Sequence, residues 1–449
     1  LKARLGLGIL AAAALLSVVG LRGCRPEPGI ARVVLVSIDT LRADHLGCYG
    51  YTRPTSPALD DLAAKGVLFE QASSPSPWTL PAHASLLTGV YPSRHGLKAH
   101  DRHLPSSVRT LAGAFMRGGF RTAAVVNSNN LGPRFGLDRR FQDYLYVEER
   151  PDQREPSTRI TDQALDWIRQ HRRRRLFLFV HYYDVHSDYR SRPEFEAEFV
   201  TPYRGSADGT TAQLMAFREG KLRLGPADAA HLVNLYDAGV RQMDAELARF
   251  LTALQDDGLL EGTLLVVTSD HGEEFLERGG VLHGRTQFQE MLHVPLVVVG
   301  PALAGGRRVA TPVSLIDVPR TLLSLSGVEA PRMDGEDLTP LLHGRTPRHL
   351  VERDIFGEAD HNNQEHDITR SLRRGASKLH FDRLTQATAL YDLASDPKEL
   401  TDLSLRDAGA VAELRKRLDR FLELRPEPAP PVRLSPEEIE KLRSLGYIR

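Results

Sequence analysis

The chain has 449 residues, 41% of them hydrophobic and 26% charged, enough for one large α/β domain and a smaller one. Its 58 lysines and arginines balance 58 aspartates and glutamates, which excludes the basic excess of a nucleic-acid binder. The two cysteines, Cys24 and Cys48, exclude any disulfide framework beyond a single bridge.

Residues 1–24 read as a targeting segment rather than as fold. Lys2 and Arg4 precede an apolar run over 6–21, and Arg22-Gly23-Cys24 leads at once into a Pro- and Gly-bearing turn. The segment resembles a bacterial lipoprotein signal, in which the cysteine after the cleavage point is acylated. The apolar run is short for a full membrane span. The protein is therefore expected to be exported to the bacterial cell envelope and held at the membrane by an N-terminal lipid anchor.

The apolar run 32–38 ends in Asp39, as a strand buried on both faces of a parallel sheet would. The pattern recurs at 122–127, 176–182, 263–268 and 295–299, separated by helical periodicity at 56–65, 108–117, 160–171, 227–254 and 317–325. Such alternation predicts an α/β fold, a doubly wound and mainly parallel sheet flanked by helices, over 30–345. The arginines at 172–175 follow a helix whose negative end suits cations, and they read as a solvated terminus. Short strands at 376–381 and near 390–393, with a helix at 410–424, predict a small C-terminal α+β subdomain over 346–425. Within 426–449, a Pro-rich linker leads to a terminal helix at 435–445, with Ser435 as N-cap and Glu438 closing a capping box.

In open α/β sheets, ligands bind beyond the carboxyl ends of the strands. Asp39 follows one predicted strand, and Asp270, with His271 and Gly272 behind it, follows another. Two strand-end carboxylates and an imidazole suit a divalent cation, although one such aspartate alone is often only a helix N-cap. The third element is Pro77-Trp78-Thr79-Leu80-Pro81-Ala82-His83, continued by Leu86-Leu87-Thr88-Gly89 and Tyr91-Pro92-Ser93-Arg94-His95-Gly96. With Pro81 in its first turn, a helix running to Thr88 carries Thr79 at its N-terminus, where exposed N–H groups and the dipole favour an anion. Cys48 reads as a small buried residue.

The strand ending at Asp39, the Leu-Leu-Thr-Gly-x-Tyr-Pro segment at 86–92, the Asp270-His271-Gly272 turn and the tail Leu390-Tyr391-Asp392-Leu393 with Asp396-Pro397 and Glu399 together resemble the sulfatase family of the alkaline-phosphatase superfamily. The resemblance implies an alkaline-phosphatase-like fold and hydrolysis of a sulfate or phosphate ester. It also exposes departures. Family sulfatases carry a cysteine or serine, oxidised to formylglycine, at the position matched by Thr79, and an arginine at that of His83. Threonine has no route to the aldehyde, so no formylglycine is expected. The family's second aspartate is Thr40, its calcium-site Asp-Asn pair is Asp270-His271, and its Lys and His are Asn127 and Asn129. The implied metal set is Asp39, Thr79, Asp270 and His271, which favours zinc or manganese over calcium, with calcium a possible occupant.

The segment from His181 through Asp184 to His186 resembles the sulfatase His-x-x-x-x-His stretch. His283 and Arg285 stand where relatives place a substrate-contacting Lys or His. His186 and His283 are candidates for general acid or anion ligand, or, with Asp184, for a second metal site; His181 reads as a hydrogen-bonded structural histidine. Asn127, His83 and Arg285 are the candidate substrate contacts. The resulting expectation is attack by a metal-activated Thr79 through a covalent threonyl ester. Two alternatives stay open: a transferase moving a phospho-group such as phosphoethanolamine within the envelope, and a non-catalytic binder of anionic glycans.

Overall fold

The structure, a computed structural model, describes residues 29–148, 156–360, 368–423 and 429–444. The targeting segment expected at 1–24 and the Pro-rich stretch as far as 428 lie outside these residues. Among the described residues no helix is long and apolar enough to cross a membrane.

The central sheet has eight strands: β1 (Arg32–Ile38), β2 (Val67–Phe69), β3 (Arg121–Val126), β4 (Asp143–Tyr146), β5 (Leu176–Tyr182), β6 (Thr263–Ser269), β7 (Leu296–Val299) and β8 (Arg307–Val309). Their spatial order is β8-β2-β7-β6-β1-β5-β3-β4. Every pairing is parallel except those of β7, which runs against both β2 and β6. Sequence patterning located β7 but grouped it with the parallel strands, because a buried run of β-branched residues carries no mark of direction.

Strands β1, β5 and β6 are buried at every position, so helices must cover both faces of the sheet. The helices that matter here are α1 (Pro57–Lys65), α2 (Thr79–Leu86), α3 (Leu111–Arg117), α4 (Pro156–His171), α5 (Pro226–Asp256) and α6 (Asp317–Leu325). Leu35, Phe179 and Val266 pack with α2, α3 and α6 on one face. Val36, Val180 and Val267 pack with α1, α4 and α5 on the other.

Register places the site. Ile38 pairs with Tyr182 on one side and with Ser269 on the other, so the three central strands end level. Asp39 and Asp270 each follow by one residue, and the Asp39 amide closes the ladder by donating to the Tyr182 carbonyl at 2.9 Å. One step back, Ser37, His181 and Thr268 lie side by side on the face that packs α2. The apolar series on that face therefore turns polar as it reaches the site.

The C-terminal unit is a four-stranded antiparallel sheet, β9 (Ile355–Asp360), β10 (Ile368–Arg374), β11 (Ser377–Asp382) and β12 (Thr388–Asp392), covered by α7 (Ala408–Glu423). Leu379, Phe381, Leu414, Leu418 and Phe421 form its core, with Tyr91 and Ile316 contributed by the main domain. The last helix, α8 (Pro436–Ser444), has its capping box: the Ser435 amide donates to Glu438 Oε2 at 2.8 Å, and the Glu438 amide to Ser435 Oγ at 3.2 Å.

Candidate active site and metal centre

Asp39 is aimed by a strained turn. Thr40, directly after it, takes a left-handed backbone with φ 55°, unfavourable for a β-branched residue. Two contacts hold it: Tyr236 Oη donates to the Thr40 carbonyl at 2.8 Å, and the Thr40 amide to Asp270 Oδ1 at 3.3 Å. The Asp270 turn is fixed by close approach. A Cβ on Gly272 would lie 1.9 Å from the Glu290 carbonyl oxygen, so only glycine fits.

Helix α2 begins where the extended Trp78, 1% exposed, anchors the chain in the core. The Ala82 amide already bonds the Trp78 carbonyl at 3.2 Å, and Pro81 sits in the first turn, where its missing N–H costs no intrahelical bond. Thr79 is thus the first residue of the helix, and its Oγ1 lies 3.3 Å from His271 Nε2. His271 donates from Nδ1 to the Gly272 carbonyl at 2.8 Å, which leaves Nε2 as a lone pair. That nitrogen is also 3.3 Å from Asp270 Oδ2 and 3.6 Å from Asp39 Oδ1. Donor atoms of Asp39, Asp270 and His271 all lie within 4.8 Å of one another, and all three residues are fully buried.

These residues fit a divalent cation. Burial, and then the like charge of Asp39, pushes the Asp270 carboxyl up to about 7. Among the described residues Asp270 Oδ2 has no hydrogen-bond partner, and the imidazoles of His83 and His271, each 3.3 Å from it, are both pushed below the usual imidazole range by burial and so offer it no fixed positive charge. Two clustered buried acids facing an imidazole lone pair are costly unless a metal binds between them.

His83, expected to contact substrate, does something else. It is fully buried, and its two ring nitrogens are taken up by the protein: Nδ1 bonds the Thr79 carbonyl at 3.0 Å, and Nε2 bonds Ser37 Oγ at 3.0 Å. It braces Thr79 one helical turn away and has no ring nitrogen left for a ligand. Asn127 is buried beside His181, with its Oδ1 3.3 Å from His181 Nδ1 and its Nδ2 without a hydrogen-bond partner among the described residues. His181, read from sequence as a hydrogen-bonded structural histidine, lies against the cluster: its Nε2 is 3.3 Å from Asp39 Oδ2, and its ring is 4.9 Å from that of His83. The available signal was a histidine on the sheet face that otherwise carries Phe177 and Phe179.

The second cluster forms without Asp184. That carboxyl interacts with Ser157 and Glu246, and burial pushes it up to about 6. His186 stacks on Tyr183 at 4.2 Å and lies 4.9 Å from His283, whose ring is 4.5 Å from His271. Glu273, which sequence reading passed over, is fully buried and bonds His283 Nδ1 through Oε1 at 3.0 Å. A glutamate right after the Asp270-His271-Gly272 turn was the clue. Burial pushes His186 down to about 3 and His283 well below the imidazole range, so both rings are neutral near pH 7. Arg285 is exposed, at the mouth beyond His283.

Residues 31–328 match the family described as Sulfatase, and residues 278–425 match the family described as N-sulphoglucosamine sulphohydrolase, C-terminal. The choline-sulfatase of Rhizobium meliloti (strain 1021) is 25% identical over 411 residues, covering 79% of this chain and 79% of that protein. A solved structure in complex with its substrate D-glucosamine-2-N,6-O-disulfate covers 87% of this chain and 97% of its own, with TM-score 0.74 and 19% identity. The phosphonate monoester hydrolase of Agrobacterium radiobacter covers 88% and 95%, with TM-score 0.70 and 21% identity. With the level strand ends and the buried acid–imidazole cluster they enclose, these matches place the chain in the sulfatase family of the alkaline-phosphatase-like superfamily, as a hydrolase acting on sulfate or phosphate esters.

Proposed function

We propose that Thr79 is the nucleophile, held on a divalent cation by the set Asp39, Thr79, Asp270 and His271, and that the reaction passes through a threonyl ester. One observation carries this reading: Thr79 Oγ1, at the start of α2, lies 3.3 Å from the same His271 nitrogen that faces both acids. A hydroxyl is a weak nucleophile near neutral pH, and a divalent cation at this set would favour its alkoxide and offset charge on the ester. The α2 N-terminus and Asn127 Nδ2 hold the ester's non-bridging oxygens. Thr79 Oγ1 bonds the phosphorus or sulfur as the bond to the alcohol breaks. Water then attacks the threonyl ester, frees the anion and restores the hydroxyl. The Thr79 proton ends on the alcohol and a proton of water ends on Thr79, so the neutral His283, steadied by Glu273, serves as a relay beside His186.

Two acids with a nitrogen donor suit zinc or manganese better than calcium. The substrate reading places phosphate esters slightly ahead of sulfate esters. A formylglycine diol expels sulfate by re-forming its aldehyde, whereas a threonyl ester must be opened by a second attack at the central atom. The clustering of Asp39, Asp270 and His271 speaks against a module that only binds glycans, which would be expected to lose its metal ligands. Export as an envelope lipoprotein, read from 1–24, completes the proposal.

The test is Thr79→Ala assayed on aryl sulfate, aryl phosphate monoester and aryl phosphodiester. Turnover of the preferred ester should fall at least about a thousandfold with circular dichroism unchanged. Undiminished turnover removes Thr79 from the role.

A further inference from the structure

The end of the sheet opposite the site carries a block of charge that the reaction does not use. Strands β1, β3, β5 and β6 all begin there and are tied together at their first residues. The Leu176 amide donates to the Ala31 carbonyl at 2.9 Å, the Arg121 amide to the Arg175 carbonyl at 2.8 Å, and the Ala31 amide to the Gly262 carbonyl at 3.0 Å. The turn that feeds β5 is Arg172-Arg173-Arg174-Arg175. Arg175 is fastened to the fold: its Nη2 donates to the Ser326 carbonyl at 2.8 Å, and its guanidinium lies 4.0 Å over the Phe120 ring. Arg172, Arg173 and Arg174 are exposed, and among the described residues their guanidinium groups make no ion pair or hydrogen bond. Arg117, exposed at the end of α3, stands before the neighbouring strand β3. Capping α4 does not need the run. The Arg174 amide already takes the His171 carbonyl at 2.8 Å, and His171 Nδ1 the Trp167 carbonyl at 2.8 Å. The acids at this end are spread over other turns: Asp256, Asp257 and Glu261 precede β6, and Glu329 follows α6. Of these, Asp257 is paired with Arg169 at 2.7 Å.

We propose that this arginine face docks on the anionic headgroups of a phospholipid membrane, so that the carboxyl ends of the strands, and the site with them, face away from the bilayer. The inference rests on the export reading of residues 1–24. Two lengths join the observations. Cys24 stands five residues before Gly29, and a fully extended chain spans at most about 17 Å over that distance. A lipid on Cys24 therefore holds the amino end of β1 close to the membrane, and the arginine run enters β5, its direct neighbour. The seven residues of β1 then set the metal centre roughly 23 Å further out, at ~3.3 Å per residue. Guanidinium forks bond phosphate oxygens in pairs, and exposed charges act on a surface within a Debye length of about 8–10 Å.

The experiment measures co-sedimentation of the full chain with vesicles of phosphatidylcholine, alone or mixed with phosphatidylglycerol. Lys2 and Arg4 favour anionic lipid in any full chain, so the readout is the change produced by the triple replacement Arg172→Gln, Arg173→Gln and Arg174→Gln. In about 0.1 M salt, partition onto the anionic vesicles should fall at least about tenfold, while partition onto neutral vesicles stays within about twofold. At about 1 M salt, where screening reaches ~3 Å, the two proteins should agree within about twofold on both. Circular dichroism and turnover of a soluble ester should be unchanged, since the three side chains are exposed at the end remote from the centre. A fall of less than about twofold on anionic vesicles, or an equal fall on both kinds, would overturn the proposal. Loss of heparin binding with vesicle partition kept would assign the run to an acidic glycan and overturn it as well. Failure of the export reading shows separately, as no partition of either protein onto neutral vesicles, where the apolar run alone acts.

Discussion

His283 and Glu273 meet at 3.0 Å inside the fold, close to His271 but outside the set that would hold a cation. A carboxylate on Nδ1 fixes the tautomer and the ring plane, leaving Nε2 to exchange protons with the reacting oxygens. Removing it should harm the chemical step more than binding. Glu273→Ala is expected to lower kcat by about a hundredfold with KM little changed, and unaltered kcat would remove the relay from the mechanism. At this scale the sequence was partly legible. Asp39, Asp270, His271 and Thr79 stood out because each occupies a strand end or helix start, and the structure brings them together. The contacts of His83 were not legible, because its bonds to Ser37 and to the Thr79 carbonyl depend on how α2 lies across β1, which no local pattern encodes. The partners of His181 and Glu273 stand 142 and 10 positions away, so sequence marked the two residues by position but not what they touch.

The elements around the site are pinned to the C-terminal sheet by a buried charge cluster. Glu399, 1% exposed, bonds Lys378 at 3.0 Å and His380 at 2.7 Å on β11, and its Oε2 accepts from the Gln289 amide at 2.7 Å. Burial alone would raise this carboxyl, but Lys378 and His380 outweigh it and hold the group down to about 2. A carboxylate lowered from 4.5 on folding stabilises above pH 4.5 and loses that contribution as pH falls toward 2. The shift corresponds to roughly 3 kcal/mol. The melting-temperature gap between the wild type and Glu399→Gln should therefore narrow steadily over that acid window; a gap of constant size would show that the cluster does not titrate as described. Elements with strong periodicity, such as α6 and the central strands, were legible to within a few residues. Strands β9 and β10 were not: Ile368–Arg374 holds three arginines, two of them adjacent, among Ile368, Thr369, Ser371 and Leu372, and shows no clean alternation until it pairs in the antiparallel sheet.

Taken whole, the molecule directs the ends of three parallel strands and one short helix at a single buried point, which suits a metal-dependent hydrolase of the sulfatase family. The doubly wound class was legible because strand–helix alternation is a long-range rhythm, while the direction of β7 was not. Removal of the cation should leave Asp39 and Asp270 facing each other unscreened. Chelation is accordingly expected to abolish turnover and lower the melting temperature together, with zinc or manganese restoring both better than calcium; full activity in a protein shown by plasma emission to hold no metal would refute this. The central claim, a covalent ester on Thr79, is tested most directly by acid-quenching the enzyme during turnover and mapping its peptides by mass spectrometry. The account predicts one phosphoryl or sulfonyl group on the Thr79 peptide during turnover and unmodified threonine at rest. An aldehyde mass at residue 79, or the transferred group on any other side chain, would contradict it.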